Sequence, residues 1–405
     1  MLRCSARAAL CLAPFRQPRH HQNSQEHMRR VNAMTADFKR ERASIRQVLV
    51  DVAEPIVANN LDSVVHLSAS RTVTSQSLYA NACHVRENAH ARAQLGSCVV
   101  GGSSAIRRIW HQYGVRPTCV FVPDDVPVPE WCVNGPTPTI VVRADPLMIN
   151  EKLLSSNQCD GFAAEFDLPA MPSLLDLTTS PDAAPETEIA DAPKPVSFSR
   201  VVALHKTRNA SNTGNVIRAA VDLGYDAVIL DRCADVFNEK VLRASDGAVF
   251  CPTFRTYQLK EKGPADPIEL LQHAAVAHRL LPILAVPSPD AEPVFSVAQR
   301  LHYHNKDKAE GSLERLGAMV VLGSEARGLE ELQESWQIPA KLASVNLDNA
   351  LVESINVAFA ASIMMHHFRP AAVAEFDDLF KRGVVPQDDV DDTLQQLDER
   401  ERQLS

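Results

Sequence analysis

The sequence predicts an α/β protein with a small N-terminal α/β domain and a larger C-terminal domain built on a mainly parallel sheet. Three observations carry that expectation. Apolar runs of strand length alternate with segments of helical length along both halves of the chain. A stretch rich in proline, alanine, threonine and acid, TTSPDAAPETEIADAPKP at 178–195, divides the halves. The 405 residues suffice for two buried cores with tails.

At the start of the chain, Arg3, Arg7, Arg16 and Arg19 stand among small and apolar residues, and no acid precedes Glu26. That composition is similar to a mitochondrial transit peptide, assigned to 1–26. A secretory signal needs a longer apolar core than residues 8–14 provide, so mitochondrial localisation is the expectation. Residues 27–77 read as a charged, partly helical extension containing Lys39-Arg40-Glu41-Arg42, with a short helix at 45–53. From 78 to 170, strands at 98–100, 118–122 and 139–142 alternate with helices at 104–112 and 146–155, which makes the small α/β domain.

The segment 171–196 has too little apolar surface to offset the entropy of ordering and reads as a linker. The second domain, 197–369, reads as strand 201–204, helix 213–223 closed by Gly224, strand 227–230, helix 267–280, and strands 282–286, 318–322 and 343–347, ending in helix 353–368. On the last helix Ile355, Phe359 and Ile363 recur at helical spacing and are expected to face the core. Residues 370–405 read as an acidic tail carrying no chemistry.

Composition narrows the function. The formal charge of −9 argues against a general coat of positive charge for nucleic acid, yet leaves room for a local basic patch. No apolar run approaches the roughly 18 residues of a membrane span, so no membrane partner is expected. The cysteines stand singly, with no CxxC pair and no Cys/His cluster at ligand spacing, so no metal is expected.

Three segments of the second domain place polar or glycine residues where a strand ends and a helix or turn begins, the edge at which open α/β sheets bind ligands. The first runs from Asn209 through Asn212 and Gly214 to Arg218. Ser211 or Asn212 is suited to cap the helix there, whose free N–H groups make an anion site. Arg218 falls in the second turn, where a cation gains nothing from the helix dipole, and this hints at a phosphate or carboxylate partner. The second runs from Met319 through Leu322, Gly323, Glu325 and Gly328, an apolar strand entering a glycine-flanked turn. The third contains Asn346, Leu347, Ser354 and Asn356 at the mouth of the last helix. Taken singly, each has an ordinary explanation: a solvated arginine, a plain strand-to-helix turn, a serine acting as a cap.

In order and spacing the three together resemble the signature motifs of the SpoU/TrmH family of RNA ribose 2′-O-methyltransferases in the SPOUT superfamily: N-x-G-x-x-x-R, G-x-E-x-x-G and S-L-N-V. The likeness spans about 201–366, with Ala326, Ile355 and Ala358 departing from the usual residues. It implies a trefoil-knotted catalytic domain, although knots are otherwise a topology to reject. It also implies S-adenosylmethionine as cofactor, held by Leu322, Gly323, Glu325, Gly328, Asn346, Leu347, Ser354 and Asn356. The implied catalytic set is Arg218, Asn212, Glu325, Ser354 and Asn356, with Asn212 orienting Arg218 or the ribose. A homodimer and an RNA substrate follow, ribosomal rather than transfer RNA, with Lys206, Arg208, Arg232, Lys240 and Arg243 as phosphate contacts. Residues 97–122 resemble a small RNA substrate-binding domain similar to ribosomal protein L30e. Two other readings compete: a SPOUT-fold RNA-binding ribosome-assembly factor without turnover, and a nucleotide-dependent oxidoreductase, which lacks the glycine fingerprint after a first strand.

Overall fold

The computed structural model describes residues 61–67, 73–154, 160–181, 196–259, 266–288, 290–309, 312, 314–324, 328–345, 347, 354–382 and 396. The transit-peptide segment, the helix expected at 45–53, Glu325 and Asn346 lie outside them.

The small domain is a mixed sheet of five strands: β1 (Leu61–His66), β2 (Ser97–Gly101), β3 (Pro117–Pro123), β4 (Thr139–Ala144) and β5 (Ala163–Asp167), in the order β1-β4-β3-β5-β2. Strands β1, β4 and β3 run parallel, and β5 pairs antiparallel with both β3 and β2. Its edge strand β1 falls inside the segment read as an extension. The helices are α1 (Val73–Glu87), α2 (Ala89–Leu95), α3 (Ser103–Arg107), α4 (Glu130–Val133) and α5 (Pro146–Met148). A wider π turn, Arg108–Gln112, continues α3. Strands β2 and β3 are buried along their whole length, the pattern of a sheet covered on both faces.

The second domain carries seven parallel strands in the order β10-β12-β9-β11-β6-β7-β8: β6 (Arg200–His205), β7 (Ala227–Asp231), β8 (Arg255–Leu259), β9 (Leu280–Ala285), β10 (Glu292–Pro293), β11 (Gly317–Gly323) and β12 (Lys341–Ser344). Its helices are α6 (Ala210–Asp222), α7 (Glu239–Ala244), α8 (Pro267–Ala277), α9 (Val294–Asn305), α10 (Gly328–Ser335), α11 (Val357–Phe368) and α12 (Ala372–Lys381). Helix α8 stops short of the expected 280 because Arg279 turns left-handed at φ 52 and Leu280 opens β9. Strand β12 ends at Ser344, before the expected 347. Within the segment read as linker, Leu174–Leu177 form a 3-10 turn with Leu177 buried, and the Asp176 carboxylate accepts from the Tyr257 hydroxyl at 3.1 Å. The segment read as a tail begins with α12, whose Ala372 and Phe376 enter the core.

Both sheets belong to one compact unit, Val52–Ser405. Arg92 of α2 donates from Nε to Asp235 Oδ2 at 3.0 Å, and the Phe166 and Phe250 rings meet at 5.6 Å.

Helix α11 corrects an expectation about packing. Its core face is Val357, Ala358, Ala361, Met364, Met365 and Phe368, whereas Phe359 is 68% and Ile363 39% exposed. Nearly every residue of this helix is apolar, so periodicity alone does not choose which side is buried.

Under α11, His302 of α9 stacks on Phe376 at 4.6 Å and meets the His367 carbonyl at 3.2 Å. Burial, opposed by the His367 carbonyl and Asp377 and reinforced by Arg200 and Arg315, pushes its pKa from 6.5 down to about 4. The folded state therefore binds fewer protons than the unfolded one between those values. Stability is full above pH 6.5 and falls as pH drops toward 4, by about 3 kcal/mol. Urea denaturation at pH 7.5 and pH 5 is expected to show about 2 kcal/mol of this loss, and His302→Gln to flatten it. An unchanged slope in that variant contradicts the assignment.

Candidate functional site

The carboxyl ends of β6, β7 and β11 lie side by side, with His205 in register with both Asp231 and Gly323. The chain leaves β6 and β7 through Lys206 and Arg232, both left-handed at φ 57 and 51. That backbone costs a residue with a side chain about 1 kcal/mol or more, and such strain gathers at functional sites.

Beneath these turns lies a buried His–Asp contact. His205 Nδ1 stands 2.5 Å from Asp231 Oδ2, and both side chains are fully buried. Arg232 closes over the same carboxylate, its Nε donating at 2.9 Å and Nη2 at 3.0 Å. Burial alone drives the Asp231 carboxyl upward, but hydrogen bonds from His205 and Arg232 hold it below the ordinary carboxylate range. On the surface, the Lys206 ammonium donates to Glu331 of α10, which Arg232 Nη1 also approaches at 3.7 Å. The hydrogen bond from Lys206 holds the Glu331 carboxyl below its usual range.

These contacts sort the expected phosphate ligands. Lys206 is tied to the surface carboxylate of Glu331 and Arg232 to buried Asp231, and Arg243 Nε lies 3.8 Å from Glu239. Arg208 and Lys240 are exposed and have no ion-pair partner among the described residues.

The first motif folds as a capped helix, though the cap differs from expectation. Asn209, not Ser211 or Asn212, closes α6, its Oδ1 accepting from the Ser211 and Asn212 amides at 2.9 and 3.1 Å. The helix therefore opens at Ala210 and Arg218 falls in its third turn. Gly214 faces α7, where an added Cβ would stand 2.6 Å from the Val241 carbonyl oxygen. Only glycine permits so close a helix approach.

The third motif meets the first. Asn356 caps α11, its Oδ1 accepting from the Ala358 amide at 2.8 Å, while its Nδ2 donates to Asn212 Oδ1 at 3.1 Å across 144 residues of sequence. Helix α11 thus starts at Val357 rather than 353, and exposed Ser354 is not its cap. No hydrogen bond joins Asn212 to Arg218 among the described residues, so the expected contact between them is not made. Six residues of helix separate the two by about 9 Å along the axis and about a third of a turn out of register. Arg218 instead extends to Asp222 (3.7 Å) and Asp246 (3.8 Å), with 48% of its side chain exposed.

For the second motif, β11 ends in buried Leu322 and Gly323, and α10 begins at Gly328. Beyond β12, Leu347 is exposed.

Sequence reasoning missed His205, Asp231, Glu331 and the cap Asn209. The signal for the first two was present: VVALH and AVILD are apolar strands that each end on an ionisable residue. Reading them as a pair requires knowing that β6 and β7 are adjacent.

Residues 199–366 match the model described as the SpoU rRNA Methylase family. The chain is similar to a crystal structure of an RNA 2′-O ribose methyltransferase, at 18% identity and TM-score 0.52, covering 75% of this chain and 97% of that one. It is similar to the SpoU methyltransferase AviRb from Streptomyces viridochromogenes, at 17% identity and TM-score 0.51, covering 75% and 98%. An AdoMet-bound rRNA methyltransferase from Sinorhizobium meliloti aligns at 17% identity and TM-score 0.50, covering 76% and 98%. At these identities the likeness concerns the fold, and it extends beyond residues 199–366. No curated protein matches the chain.

Proposed function

We propose, from the match of residues 199–366 to the SpoU rRNA Methylase family, that the protein is a member of that family and an S-adenosylmethionine-dependent RNA ribose 2′-O-methyltransferase. The observation that carries the reading is the Asn356–Asn212 hydrogen bond, which fastens the third motif to the first.

The residues present suit the cofactor. Leu322 and Gly323 at the end of β11 offer apolar surface and main-chain groups, and exposed Leu347 on the same edge of the sheet offers an apolar face for a base. S-adenosylmethionine supplies an electrophilic methyl carbon on a sulfonium. When bound it would give that methyl to a ribose 2′-oxygen, leaving the C–S electron pair on sulfur, with the hydroxyl proton passing to water. The hydroxyl is weakly acidic, so alignment and charge stabilisation are the protein's main tasks. A guanidinium stays protonated in proteins, so Arg218 acts by gripping the phosphate next to the target ribose and stabilising the developing alkoxide. Arg208 and Lys240 add phosphate contacts.

The finer assignments belong to the same reading. A trefoil knot fits the packing of α11 back onto α6 and β11, elements that precede it in the chain. An L30e-like role for the small domain in holding RNA rests on the resemblance of 97–122. The exposed Phe359 and Ile363 support a homodimer through α11. The arginine-rich start supports mitochondrial import, and large-subunit ribosomal RNA is the substrate we infer.

Calorimetry of the full chain with S-adenosylmethionine tests the reading. Micromolar binding is expected. Absence of binding by the folded protein favours an RNA-binding assembly factor without turnover.

A further inference from the structure

We propose that Arg108, contributed by the small domain, is a positioning residue for methyl transfer: together with Asp222 and Asp246 it forms a charge-balanced quartet that sets where Arg218 rests. The inference builds on the proposed function, which gives Arg218 its task.

The placement begins with helix geometry. Gly214 and Arg218 are one turn apart on the same stripe of α6, and the glycine brings that stripe against α7. The turn that ends α7 presents Asp246. Its carboxylate lies 3.8 Å from Arg218 Nη2 and 3.2 Å from Arg108 Nη2, while Asp222 lies 3.7 Å from Arg218 Nε and 3.7 Å from Arg108 Nη1. Two guanidinium groups thus share two carboxylates. The inner pair, Arg108 and Asp246, is largely buried at 20% and 10% exposure, while Arg218 and Asp222 face solvent at about half.

The distances assign different roles. At 3.7–3.8 Å Arg218 makes no hydrogen bond to either carboxylate and is held by their field alone. Its half-exposed guanidinium can swing to an RNA phosphate. Asp246, in contrast, is fixed by the small domain. Its backbone is left-handed at φ 51, and the following Gly247 (φ 75) lies so close to the π turn after α3 that an added Cβ would stand 2.6 Å from Ile109 Cγ1.

Charge balance then predicts the response to mutation. Without Arg108, two carboxylates face Arg218 alone and draw it away from the RNA. Arg108→Gln is expected to lower kcat/KM for RNA about tenfold, equivalent to about 1.4 kcal/mol, without changing S-adenosylmethionine affinity. Asp246→Asn, which tolerates the left-handed backbone, leaves Arg218 poorly oriented and is expected to lower kcat. The double variant restores neutrality, with Arg218 facing Asp222 only, and is expected to recover most of the lost rate.

The experiment measures kcat and KM for methyl transfer to RNA, cofactor affinity and thermal melting for Arg108→Gln, Asp246→Asn, their double and Arg218→Ala. Rescue in the double supports the quartet, because damage to domain docking alone would leave the double no better than either single. Wild-type kcat/KM in Arg108→Gln, or a double no faster than the singles, overturns it. If Arg218→Ala turns over at the wild-type rate, the functional reading itself fails. If Arg218→Ala is inactive while Arg108→Gln is unaffected, only the quartet fails.

Discussion

Replacing Arg218 by alanine is expected to lower kcat for methyl transfer by about 10²–10³-fold, the range found when one preorganised stabiliser of a developing oxyanion is removed. S-adenosylmethionine affinity should stay unchanged, because Arg218 lies away from the Asn212–Asn356 joint and is bound only loosely to Asp222 and Asp246. Lysine should rescue poorly, since it carries the charge but not the planar fork that grips a phosphate. Single-turnover methylation together with cofactor calorimetry separates the two effects. A variant with normal turnover contradicts the assigned role. One that loses cofactor binding shows that the arginine serves the pocket and not the RNA.

Phe359→Asp is expected to convert a dimer into monomers. Phe359 and Ile363 stand one turn apart on α11 and are the large apolar side chains that this helix leaves exposed. A second copy of the same face is the partner a symmetric dimer supplies. A carboxylate at the centre of such an interface is stripped of water without a counter-charge, a penalty of about 3–5 kcal/mol, which weakens association by at least about 100-fold. Sedimentation velocity at micromolar protein should show the wild type as a dimer and the variant as a monomer with an unchanged melting temperature for the chain. A variant that remains dimeric places the interface elsewhere.

The strands that position the site were legible because they are buried on both faces. VVAL and GAMVVLG are unbroken apolar runs, and a fully covered parallel strand carries no other pattern. Gly214 was legible only as part of its motif, and the neighbouring helix it admits became visible with the fold. Caps were harder. Asn209, Ser211 and Asn212 are all good caps within four positions, and only the turn of the backbone chooses among them. Ser354 and Asn356 posed the same choice at α11, with the opposite answer to the one expected. What sequence cannot supply is adjacency: that Asn356 reaches Asn212, that His205 and Asp231 share one buried contact, and that a small-domain arginine stands beside Arg218. Each depends on strand order or on how the two sheets dock. The exposed face of α11 was misread for a different reason, since a helix apolar on most sides hides its exposed face within its core pattern.

The most direct measurement is nucleoside mass spectrometry of large-subunit ribosomal RNA after incubation with the purified chain and methyl-labelled S-adenosylmethionine. The label is expected on a ribose 2′-oxygen, at a single nucleotide, and is expected to be lost with Arg218→Ala. Label on a base, or cofactor bound firmly with no methyl transferred to any RNA offered, contradicts it.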